Sequence, residues 1–168
     1  MSIEKLNNLD DEKRLNELLK CCGSRKWAIT LNNKFPFNSI DDLIKESDNI
    51  WFSLNKEDWL EAFSHHPKIG DIENLSKKFP NTASLSKNEQ AGVNNADKKT
   101  LEELAIANKY YENKFGYIFI VCASGKTATE MLDILNNRKN NNPDDEIKIA
   151  CKEQSKITKI RLLNLIKN

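Results

Sequence analysis

Apolar side chains recur along most of this chain at the three- and four-residue spacing of a helix, and residues that would interrupt helices are scarce. Glycine occurs 5 times and proline 4 times in 168 residues. Strict apolar–polar alternation, the mark of a half-buried strand, is rare. A helix gathers such apolar residues onto one stripe, whereas a strand would scatter them over both faces. The chain is therefore expected to be all-α.

The spacing of Leu6, Leu9, Leu15, Leu18 and Leu19 predicts a first helix from Ser2 to Cys22, with Gly23 at its C-terminal cap. Ser24 to Phe37 reads as irregular. Ser39 with Asp42 caps a short helix through Ile40 and Leu43. A further helix spans about Lys56 to His65, with Trp59, Leu60 and Phe63 inward. It breaks at His66-Pro67-Lys68-Ile69-Gly70-Asp71, where proline disfavours helical geometry at His66. A polar loop follows to Leu85. Ser86 and Glu89 then form a capping-box pattern opening the longest helix, to about Lys114. Tyr117 to Ala123 is strand-like but has no obvious partner, so it is expected to be one short extended segment. Thr127 with Glu130 caps a helix to about Arg138, and Pro143 opens the last helix, where Asp144, Asp145 and Glu146 suit the positive end of its dipole. Repeats, linkers and long low-complexity stretches are lacking. Residues 1–168 are expected to form a single compact multi-helix domain, with Trp59, Leu60, Phe63, Leu101, Leu104 and Ile157 in the core.

Charge and hydropathy narrow the function classes. Charged residues make up 30% of the chain yet nearly cancel, at a net +1. Without a basic block there is no footprint for a phosphate backbone. No apolar run reaches the roughly 18 residues of a membrane span. Met1 to Asn8 lacks the apolar core of a secretory signal, and the Leu165-Ile166-Lys167-Asn168 end is not a Ser-Lys-Leu type. The expected compartment is the cytoplasm. In that reducing setting Cys21, Cys22, Cys122 and Cys151, whose spacing fits no zinc framework, are expected to be buried thiols.

The two histidines are adjacent, His65 and His66. Neighbours on a helix point about 100° apart, so they cannot form the paired ligands of a His-x-x-x-His site. Histidine is also the usual acid or base at neutral pH. On the residues alone, His66 is either such a group or a helix-terminal side chain bonding the last carbonyls. Ser86-Lys87-Asn88-Glu89-Gln90 is an ordinary helix start, and equally a place where free N–H groups meet an anion. Ser124-Gly125-Lys126-Thr127 looks like the end of a phosphate loop, but the required earlier glycine is Ile120, so it reads as a capped helix start. Arg138 and Arg161 are expected at the surface, although an arginine facing a pocket would bind a carboxylate or ureido group.

Together these pieces resemble one family. Asn55-Lys56-Glu57-Asp58-Trp59-Leu60-Glu61-Ala62-Phe63-Ser64-His65-His66-Pro67-Lys68-Ile69-Gly70-Asp71 resembles the signature of OHCU decarboxylases, which act on 2-oxo-4-hydroxy-4-carboxy-5-ureidoimidazoline. Ser86-x-x-Glu89-Gln90, Phe115-Gly116 with the apolar run to Ala123, Arg138, Glu146, Ile157 to Leu165, Trp27 and Pro36-Phe37 resemble its other landmarks in order. The resemblance implies an all-helical homodimer without metal or organic cofactor, releasing CO2 and (S)-allantoin in urate degradation. It implies His66 as the catalytic histidine and Glu89 as its acidic partner. Pro67, Ser86, Lys87, Asn88, Glu89, Gln90, the stretch Phe119, Ile120, Val121, Cys122 and Ala123, and Arg161 correspond to substrate contacts. One departure stands out: many relatives carry arginine where this chain has Ser124. The competing expectation is a non-catalytic helical interaction module, in which His66 and Glu89 only cap helices. A metal-dependent amidohydrolase lacks ligands.

Overall fold

The computed structural model describes residues 2–67 and 98–167, and among these it contains eight helices and no strand. In chain order they are α1 (Ile3–Asn7), α2 (Asp11–Cys21), α3 (Arg25–Asn32), α4 (Ile40–Ser53), α5 (Lys56–Ser64), α6 (Lys98–Phe115), α7 (Ala128–Arg138) and α8 (Pro143–Lys167). The all-α class follows the sequence expectation. None of the described helices is long and apolar enough to cross a membrane. Two compact units are formed, one from Met1–Ala62 with Ser155–Asn168, the other from Phe63–Gln154.

In the first unit, the expected single helix from Ser2 to Cys22 is in fact two. Asp10 starts a new helix by accepting from the Lys13 N–H at 2.9 Å. Arg14 stabilises the break from inside: its Nη1 donates to the carbonyls of Asn7 (3.2 Å) and Leu9 (2.9 Å), and its Nε donates to Asn32 Oδ1 (2.8 Å). Leu6 and Leu18 are buried, whereas Leu9, Leu15 and Leu19 are only half-buried. Gly23 is not a left-handed cap: α2 ends at Cys22 in extended geometry. The stretch expected to be irregular contains α3, capped by Ser24 Oγ accepting from the Trp27 N–H. Trp27, Ala28 and Leu31 form its buried face, and Trp27 Nε1 donates to the Ser47 carbonyl of α4 at 3.1 Å. Ser39 does cap α4, but that helix runs 14 residues rather than being short.

In the second unit, α6 ends at Gly116, whose φ of 78° reverses the chain as only glycine does readily. Residues 117–123 follow as an extended, largely buried segment, as the sequence indicated. Tyr111 forms the centre of its aromatic packing, 5.4 Å from Phe119 and 5.9 Å from Tyr117 by ring centroids. The Thr127–Glu130 capping box opens α7, and Pro143 opens α8. At 25 residues α8 is the longest of the described helices; the helix expected from Ser86 to about Lys114 is described from Lys98 to Phe115, and its expected start lies outside the described residues.

Arg138 was expected at the surface but is 7% exposed. Its Nε and Nη2 donate to Glu146 Oε1, at 2.8 and 2.6 Å, and its Nη1 donates to the Ile120 carbonyl at 2.7 Å. Glu146, 0% exposed, also accepts from the Tyr111 hydroxyl and from Asn141 Nδ2. Of the expected core residues, Phe63, Leu104 and Ile157 are buried, whereas Trp59, Leu60 and Leu101 are half-buried.

Truncating Arg138 would leave Glu146 charged and buried. The Arg138→Ala protein is expected to lose about 3–5 kcal/mol of stability in chemical denaturation, the scale for breaking one side of a buried pair. A loss under about 1 kcal/mol would contradict this pairing.

All four cysteines are free and buried, as the sequence indicated. Burial pushes the thiols of Cys21 and Cys151 up to about 12 and that of Cys22 to about 11. An unfolded thiol ionises near 8.5. Between these values the unfolded chain binds fewer protons, so stability falls as pH rises. The melting temperature should be flat in this respect below about pH 8 and decline from about pH 9 to 11. A Cys21→Ala, Cys151→Ala variant should decline less steeply over the same range.

Candidate active site

The last turn of α5 and the proline after it deliver His66. The helix ends at Ser64, and the His66 N–H still donates to the Phe63 carbonyl at 3.2 Å. Pro67 then draws the backbone out of the helix. His65 is exposed while His66 and Pro67 are half-buried. His66 Nε2 lies 2.6 Å from Oε1 of Gln154, 88 residues later on α8. Gln154 is 0% exposed.

The neighbouring residue on α8, Glu153, accepts from the backbone N–H of Cys122 at 2.8 Å. One turn of α8 therefore holds both the histidine and the extended segment. That segment needs such partners, because a buried strand-like stretch without a ladder must satisfy its polar groups some other way. Arg138 supplies one at Ile120, Glu153 a second at Cys122, and Lys126 a third, its Nζ donating to the Cys122 carbonyl at 2.9 Å. Phe119, Ile120, Val121, Cys122 and Ala123 are all buried. Ser124 is exposed, and Gly125 turns the chain at φ 76° into the α7 cap.

Arg161 belongs to the other unit. It is 5% exposed rather than at the surface, and its positive charge acts on the thiols of Cys21 and Cys22, opposing the upward push of burial. Ser86, Lys87, Asn88, Glu89 and Gln90 lie outside the described residues, as do Lys68 to Asp71 of the histidine block. Among the described residues, no group of three or more His, Cys, Asp or Glu side chains could hold a metal ion.

Sequence reading missed Gln154 and Glu153. The available signal was their place in a helix: Glu153 follows Glu146 by seven residues, two turns, so both lie on one stripe, with Gln154 beside them. Chemically, the second unit offers one imidazole held at Nε2 by an uncharged acceptor and a buried backbone segment fixed at three points. Such a site can position a small polar molecule and move one proton.

The profile of the OHCU decarboxylase family matches residues 7–163. Over 146 residues the chain is 40% identical to the uric acid degradation bifunctional protein TTL of Arabidopsis thaliana, covering 86% of this chain but 45% of that protein. It spans less than half the length of the bifunctional relatives it matches. A 2-oxo-4-hydroxy-4-carboxy-5-ureidoimidazoline decarboxylase of Xenopus laevis is 32% identical, with 100% of this chain and 96% of that protein covered. A crystal structure of OHCU decarboxylase in the presence of (S)-allantoin is similar with a TM-score of 0.78 and 37% identity, over 95% of this chain and 100% of that one.

Proposed function

The chain belongs to the OHCU decarboxylase family, and on that footing we propose that it removes CO2 from 2-oxo-4-hydroxy-4-carboxy-5-ureidoimidazoline to yield (S)-allantoin in urate degradation. The observation that carries this reading is His66, at the family's catalytic position, held at 2.6 Å by a buried glutamine in the unit that also contains the 119–123 segment.

The chemistry asks little more. The carboxylate leaves a carbon that bears a hydroxyl and adjoins the ring π system. When the C–C bond breaks, its electron pair passes into that π system, and a ring carbon is then protonated on one face. The face chosen sets the enantiomer. An electron sink already present in the substrate removes the need for a borrowed one; the site must orient the carboxylate, exclude water and deliver one proton. His66 is the proton carrier in this reading, with Glu89 as the carboxylate that orients it. Ser86, Lys87, Asn88, Gln90, Pro67, the backbone of Phe119 to Ala123 and Arg161 are the substrate contacts in this reading. The family profile runs through both compact units, which supports residues 1–168 acting as one domain. The protein is further read as a cytoplasmic homodimer working without metal or organic cofactor.

Freshly generated substrate and circular dichroism of the product test the reading: wild type should give optically active (S)-allantoin, and racemic product at the uncatalysed rate would overturn it. His66→Asn should lower kcat by about 10² or more with the fold intact, the scale of losing a general acid or base, and His65→Asn should be mild. Equal losses in the two variants would remove His66 from its role.

Glu89→Gln separates catalysis from capping. As a cap alone, glutamine keeps much of the bond to Ser86, at a stability cost of about 1 kcal/mol or less and with turnover intact. As the partner of His66, it should reduce turnover far beyond any stability loss. Thermal unfolding paired with turnover decides, and normal turnover would leave Glu89 a cap.

A further inference from the structure

We infer that Gln154 is a positioning residue for the proposed reaction: it locks His66 in the tautomer that carries its hydrogen on Nε2. The inference rests on the functional reading above and adds a residue to it.

The geometry is specific. Gln154 Oε1 lies 2.6 Å from His66 Nε2, and a carbonyl oxygen can only accept. Nε2 must therefore donate, so in the neutral ring the lone pair sits on Nδ1. Gln154 is wholly buried, and on an intact helix its side chain has little freedom to follow a wandering ring. The adjacent Glu153 is bound to the Cys122 N–H at 2.8 Å, which keeps this turn of α8 in register with the extended segment. A ring anchored this way presents one nitrogen in a fixed direction.

Charge explains why an amide suits the position. A carboxylate here, added to the acidic partner that Glu89 supplies in the proposed reaction, would bias the ring further toward the imidazolium. The amide oxygen accepts from Nε2–H equally in the neutral and the protonated ring. The Nε2 bond can therefore persist through a turnover. A histidine that must give up and regain one proton per cycle without flipping is served by such an uncharged acceptor.

The test uses the whole chain and its two histidines, which give two sets of ring ¹⁵N signals. Long-range ¹H–¹⁵N spectra of the wild type should show neutral His66 as the Nε2–H tautomer, with exposed His65 as the internal reference. A dominant Nδ1–H tautomer would overturn the inference without any variant. Gln154→Met, close in volume but without an acceptor, should show mixed tautomers. Its kcat should fall about ten- to hundredfold, the scale lost when a histidine's outer hydrogen-bond partner is removed, with KM within about twofold. Gln154→Glu restores an acceptor at the same reach and should return the hydrogen to Nε2 in the neutral ring, with the His66 pKa raised by the added carboxylate. A purely structural role would lower the melting temperature but leave tautomer and kcat per folded molecule unchanged, and that result would sink the proposal. An inactive wild type would remove the functional reading alone, and the tautomer spectra would then decide the role of Gln154 by themselves.

Discussion

The buried pair between Arg138 and Glu146 is the interaction on which the second unit depends. Neither charge reaches bulk water, so each must be satisfied inside the protein. Glu146 Oε1 receives two guanidinium N–H groups and the Tyr111 hydroxyl, and its Oε2 receives Asn141. The third guanidinium nitrogen donates to the Ile120 carbonyl, while the guanidinium plane lies 4.7 Å from the Phe119 ring centroid. One cation thus joins α7, the start of α8 and the extended segment. Burial pushes the Tyr111 phenol strongly upward, so this cluster holds its proton at any physiological pH.

The extended segment shows why such a cluster is needed. A strand in a sheet satisfies its backbone through its neighbour, but residues 117–123 have no ladder. Three of their backbone groups are met by side chains instead, from Arg138, Glu153 and Lys126. This leaves the segment held point by point. Irregular backbone gains precision when its supports are themselves buried and bonded. The same logic extends to His66: α8 contributes Glu146 to the ion pair, Glu153 to the segment and Gln154 to the histidine, within three turns of one helix.

Local chemistry made much of this readable in the sequence. Ser39, the Thr127–Glu130 box and Pro143 each act through groups three or four residues away, and each begins a helix where expected. The His66-Pro67 step ends α5 for the same short-range reason. The misread places are those where distant groups intervene. The break at Asp10 depends on Arg14 reaching Asn32, and α3 depends on Trp27 finding the Ser47 carbonyl.

The sequence alone determined the helical class, most helix starts and the burial of the cysteines. Those are consequences of periodicity, capping and composition, which a chain carries in any conformation. Only the tertiary structure decided that Arg138 is interior, that Glu153 fastens the extended segment, and that Gln154 meets His66. An arginine or a glutamine in a helix has no local signal for being buried, because its cost is offset only by partners that packing brings near. The 88 residues between His66 and Gln154 contain no pattern that announces their meeting; the fold creates that contact, and with it the direction in which the imidazole points.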